Sequence, residues 1–83
     1  MKVHLKYFAS IREAQGASGE TLDTDAATVA ALRDALVARG GALAQALARG
    51  RHVRVAVDQQ LVEESALLRE GCEVAFFPPV TGG

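Results

Sequence analysis

Thr28-Val-Ala-Ala-Leu-Arg-Asp-Ala-Leu-Val-Ala-Arg39, closed by Gly40-Gly41, is the stretch whose periodicity decides the fold. Thr28 has the chemistry of a helix N-cap, because its hydroxyl can accept from an N–H of the first turn. Val29, Leu32 and Leu36 recur at helical spacing and make one apolar stripe, with Arg33, Asp34 and Arg39 off it. The two glycines end the helix. One amphipathic helix has one face to bury, and the segments on both sides of it carry the period of strands.

On the N-terminal side, residues 2–8 alternate. Val3, Leu5 and Tyr7 face one way and Lys2, His4 and Lys6 the other, which is the pattern of a half-buried strand. Ser10 reads as the cap of a short helix over Ala9–Gln15 that Gly16 stops. A turn over 16–19 leads to a second strand, Glu20–Thr24, with Leu22 inward. On the C-terminal side, a shorter helix spans Ala42–Ala48, with Leu43 and Leu47 one turn apart. Arg51–Val57 alternates again, with Val53, Val55 and Val57 inward. Asp58-Gln59 is a tight turn into the brief strand Gln60–Val62. Glu63–Leu68 is a solvated connector, Arg69-Glu70-Gly71 a turn, and 73–77 the last strand.

The order strand, strand, helix, strand, short strand, strand predicts an α+β domain. The first and last long strands pair in parallel at the centre of a mixed sheet, and one main helix packs across one face. That is the β-grasp, or ubiquitin-like, arrangement. At 83 residues there is room for one core, so residues 1–83 read as a single domain, with 80–83 as a flexible C-terminal tail.

Composition removes several function classes. The net charge of −1 argues against nucleic acid or an anionic membrane held by bulk electrostatics. A single cysteine, Cys72, excludes an internal disulfide and a cysteine-cluster zinc site and suits a reducing, cytoplasmic compartment. No apolar run approaches membrane-spanning length. His4 and His52 lie on outward strand faces with no ligand partner at metal spacing, so no metal site is expected. Cys72 reads as a small hydrophobe, and Glu63 and Glu64, adjacent on an extended segment, point apart. Arg49, Arg51, His52 and Arg54 form a basic cluster, by default a solvated edge and in a sharper reading a surface for an anionic partner.

The distinctive chemistry is at the terminus, Phe76-Phe-Pro-Pro-Val-Thr-Gly-Gly83. Glycine leaves the terminal carboxylate without a neighbouring Cβ, so Gly82-Gly83 can thread a narrow channel and meet a nucleophile unhindered. Pro78 and Pro79 fix φ, remove donors and stiffen the approach. In the last strand Val74 and Phe76 share the core face, which leaves Phe77 toward solvent beside the prolines as the first choice for a docking patch.

These segments resemble the MoaD sulfur-carrier family, the small subunits of molybdopterin synthase. The resemblance runs through Val3–Glu13, Thr28–Arg33, Val55–Val62 and, most specifically, Gly71–Gly83. Where the family commonly has an acidic residue this chain has Cys72, and where it commonly has Asn this chain has Asp58; both are expected to be surface drift. The resemblance implies a sulfur-transfer cycle on Gly83. An E1-like adenylyltransferase of MoeB type uses ATP to form an acyl-adenylate, persulfide sulfur from a donor system displaces AMP, and cleavage of the resulting S–S bond by a donor thiol leaves a thiocarboxylate. The tail then delivers sulfur to cyclic pyranopterin monophosphate in the active site of the large subunit, MoaE, within a heterotetramer. No cofactor is bound by this chain, and acid/base groups come mostly from the large subunit. Gly82, Thr81, Val80, Pro79 and Pro78 position the reactive end; Phe77, and less strongly Phe8, Tyr7 and Arg12, meet the partner. Physics alone leaves open a ubiquitin-like protein modifier and a thiamine-pathway sulfur carrier.

Overall fold

A computed structural model describes residues 1–48, 50 and 52–77, with backbone only for Ser10 and Ala14. The elements follow in the order β1 (Lys2–Tyr7), α1 (Ala9–Gln15), β2 (Gly19–Asp23), α2 (Val29–Ala38), α3 (Gly41–Leu47), β3 (Arg54–Val57), β4 (Gln60–Val62) and β5 (Glu73–Phe77). The five strands form one sheet in the order β2-β1-β5-β3-β4. β1 and β5 run parallel at its centre, with Leu5 beside Val74 and Tyr7 beside Phe76. The other pairs are antiparallel. This is the β-grasp architecture.

The alternation of β1 decides which sheet face is covered. Val3, Leu5 and Tyr7 are buried, as are Val74 and Phe76 of β5 and Val55 of β3. They form one cluster with Val29, Leu32 and Leu36 of α2, Leu43 and Leu47 of α3, and Ile11 of α1. The Asp58-Gln59 turn has φ values of 50° and 70°, the pair of positive torsions that a two-residue hairpin turn of matching twist requires.

The N-terminus of α2 is fully provided with acceptors. Thr28 Oγ1 accepts from the Ala31 N–H at 3.2 Å, as the sequence indicates. The amides of Val29 and Ala30 donate to the carbonyls of Ala66 and Glu64, at 3.0 and 2.8 Å. The 63–68 connector is therefore packed on the helix end and satisfies donors that would otherwise be orphaned.

Five expectations are corrected. Arg33 is not a surface residue off the stripe: it is 4% exposed. Its Nε and Nη2 donate to the Leu47 and Ala48 carbonyls at 2.6 and 3.0 Å, and its Nη1 meets Glu64 Oε2 at 2.8 Å. Glu64 accordingly belongs to an ion pair and is not merely solvated. Cys72 is not surface drift but part of the core cluster. The cap position of α1 is Phe8, not Ser10, because the chain turns at Ala9 with a φ of 51°. The strand expected from Arg51 is formed from Arg54; Arg49 and Arg51 lie outside the described residues.

Candidate functional site

The sheet face opposite the helices follows from the register. Val55 points inward, so Arg54 and Ala56 point outward; Val74 and Phe76 point inward, so Glu73, Ala75 and Phe77 point outward. Cross-strand pairing sets Lys6 beside Ala75, Ala75 beside Ala56, and Ala56 beside Leu61. The next row sets Phe77 beside Arg54. Phe8 follows Tyr7 and lies edge-to-face on Phe77, with ring centroids 6.5 Å apart and planes at 85°. Such a geometry adds attraction beyond the area covered.

The result is an apolar patch at one end of that face, made of Phe8, Phe77, Ala56 and Leu61, with Ala75 buried among them. Phe8 is 47% exposed and Leu61 61% exposed. Phe77 is half-buried under Phe8, less open than its position in the strand suggests. It is also the last described residue, so the patch lies at the root of the tail. Pro78, Pro79, Val80, Thr81, Gly82 and Gly83 lie outside the described residues.

Two of the sequence-based interface residues, Phe8 and Phe77, are thus brought together. Tyr7 is not with them. It is 1% exposed and forms part of the core, so its assignment to the partner surface is corrected. The cause is parity: a residue between outward Lys6 and Phe8 must point inward. Arg12 is exposed on α1, one turn beyond Phe8 in the chain. Leu61 is the large exposed member that is absent from the sequence-based set. Its signal is a leucine on the outward parity of a short edge strand, visible only once Ala56 is known to lie opposite it.

Charges on this face are mostly matched. Lys6 pairs with Glu73 at 3.2 Å, and His4 Nδ1 lies 3.0 Å from Thr21 Oγ1. At the far end of the sheet, the Glu73 amide donates to Asp58 Oδ1 at 2.9 Å, and Arg69 pairs with Asp58 at the same distance. The amide first, with Arg69 adding to it, holds the Asp58 carboxyl below its ordinary value. Among the described residues no group of three or more His, Cys, Asp or Glu side chains could hold a metal ion, and no helix is long and apolar enough to cross a membrane. The arrangement offers a recognition face and a fixed point of departure for the chain, and the described side chains assemble no acid/base or nucleophilic centre.

Residues 5–83 match the ThiS family. The molybdopterin synthase sulfur carrier subunit of Haemophilus influenzae is 40% identical over 98% of this chain and 99% of its own length. The protein of the same name from Escherichia coli is 42% identical over the same shares. Among solved structures, SAMP1 from Haloferax volcanii, a small archaeal modifier protein, is 29% identical. It covers 100% of both chains with a TM-score of 0.78. On a family match that takes in all but the first four residues, this chain belongs to the ThiS family.

Proposed function

We propose that this chain is the sulfur-carrier subunit of a molybdopterin synthase, acting in molybdenum cofactor biosynthesis through a thiocarboxylate on Gly83. The observation that carries the reading is identity of 40–42% along essentially the whole chain to two proteins of that name. The fold supplies the physical support. β5 is held between β1 and β3, so the point at which the tail leaves is fixed by two strand pairings. The six residues Pro78–Gly83 can span at most about 20 Å whatever their conformation, since an extended residue covers about 3.3–3.6 Å. So short a reach is useful only from a rigid base docked beside a partner's site, and pre-organising that base cuts the entropy lost on entry.

A carboxylate is a poor acyl donor, so ATP-dependent adenylation of Gly83 by a partner enzyme precedes sulfur loading. The loaded tail then enters the large subunit, which supplies the acid/base groups and the pterin site. Phe8, Phe77 and Leu61 form the docking surface for that subunit, and the thiocarboxylate on Gly83 donates the sulfur.

Intact-mass measurement on protein purified from cells that contain the activating machinery tests this. The expected result is a gain equal to replacement of one terminal oxygen by sulfur, lost on incubation with the large subunit and pterin substrate. An unchanged mass in the presence of a functional activating enzyme would overturn it. A second reading, a protein modifier, is favoured by the likeness to the Haloferax modifier protein. It requires covalent adducts on lysines of many proteins, and a ladder of such adducts with no sulfur-bearing form would select it.

A further inference from the structure

Several charged groups along the outer sheet face have a partner, and Arg54 does not. Lys6 is paired with Glu73, Asp58 with Arg69, and His4 with the Thr21 hydroxyl. Arg54, exposed on β3 and directly across from Phe77, forms no ion pair or side-chain hydrogen bond among the described residues. It stands at the edge of the apolar patch and at the root of the tail. It also lines a recess of about 400 Å³ together with Leu61, Val62 and Glu63, at the exposed edge of the sheet. An always-charged guanidinium with five donors, left unengaged beside exposed aromatic and aliphatic side chains, is poorly used by the isolated domain. It is well placed to be desolvated when a partner covers the patch.

We propose that Arg54 is a specificity-determining contact of the docking face. In the complex it receives a carboxylate from the protein that takes up the tail, while an apolar side chain of that protein enters the recess against Leu61. The proposal rests on the docking reading given above and deepens it. The aromatic pair provides apolar burial that many surfaces could match. The guanidinium adds a directional requirement, since a planar fork facing a carboxylate fixes both position and orientation. That requirement acts at the residue opposite Phe77, where a small rotation of the docked domain would displace the tail most directly. A partner with a lysine or an unpaired amide at the same place would be rejected through an uncompensated buried charge.

The test is binding of the full chain to the molybdopterin synthase large subunit of the same organism, by calorimetry across a range of ionic strength. Wild type, Phe77→Ala, Arg54→Gln and Arg54→Glu are compared, with thermal melts of each free domain. For a contact of this kind Arg54→Gln is expected to weaken binding about tenfold and to flatten its salt dependence, and Arg54→Glu to weaken it further. Because Arg54 is exposed and unpaired, the free domain's melting temperature should not move. A scan of Asp/Glu→Lys changes on the large subunit should find one position that restores binding to Arg54→Glu and not to Phe77→Ala. If wild type binds and Phe77→Ala weakens it while both Arg54 variants bind like wild type at every salt concentration, the inference is overturned and docking stands. If wild type itself does not bind, the functional reading is what fails.

Discussion

Tyr7 carries a hydroxyl into the core with nothing to receive it. The side chain is buried, and its oxygen has no hydrogen-bond partner among the described residues. Glu20 lies close enough to repel a phenolate, and its carboxylate pairs with Arg39 at 2.8 Å. Burial, with the Glu20 charge behind it, pushes the phenol well above its ordinary value. Removing the hydroxyl should therefore be free or favourable: Tyr7→Phe is expected to change unfolding free energy by between zero and about 2 kcal/mol in the stabilising direction, measured by urea denaturation. The sign of the pH effect follows from the same shift. The unfolded chain releases its phenolic proton first, near pH 10, while the native phenol keeps it. Tyr7's contribution is thus complete below that pH and declines as pH rises beyond it, and Tyr7→Phe should lose less stability than wild type between neutral pH and pH 11. The inward direction of Tyr7 was legible in the alternation of residues 2–8. The same parity keeps Tyr7 off the surface that Phe8 and Phe77 share.

At the scale of elements, α2, α3 and the connector are locked by Arg33. One guanidinium satisfies two carbonyls at the end of α3 and pairs with Glu64, which in turn offers its own carbonyl to the first turn of α2. Truncation to Ala strands the two buried carbonyls and removes the ion pair to Glu64, so Arg33→Ala is expected to cost about 3 kcal/mol. Arg33→Lys should recover little, because a single ammonium cannot reach three acceptors set in a fork. Chemical denaturation of both variants measures this; equal recovery by Lys would show that charge alone suffices. Sequence periodicity could not reveal this device. Arg33 sits one residue from Leu32, at the margin of the apolar stripe, and its burial depends on where α3 ends, which is a tertiary fact. The elements themselves were legible because their cues are local: the Thr28 cap, the glycines after Arg39, and the period of two in β1 and β5. Leu61 joined the docking face only through pairing between strands, and for the same reason it was not visible in the chain.

On the proposed reading the whole molecule separates stability from recognition by sheet face, and that separation can be measured. Leu32 is fully buried between α2 and the sheet, whereas Phe77 and Phe8 lie on the opposite face. A domain of this length has roughly 4–12 kcal/mol of stability in all. Leu32→Ala should remove about 2–5 kcal/mol of it by opening a cavity, a large fraction of the total. Phe77→Ala should remove less, since its ring is half-exposed. Adding the large subunit reverses the ranking. A partner at about 100 times its Kd returns about 2.7 kcal/mol to any variant that still binds. Leu32→Ala retains the docking face, so its melting temperature should climb on addition of partner about as much as that of wild type. Phe77→Ala should begin near wild type and climb little. Thermal melts of the three proteins with and without the large subunit decide the point. If Phe77→Ala rises like wild type while Leu32→Ala does not, the docking surface lies on the helical side of the sheet and the assignment of faces to roles is reversed.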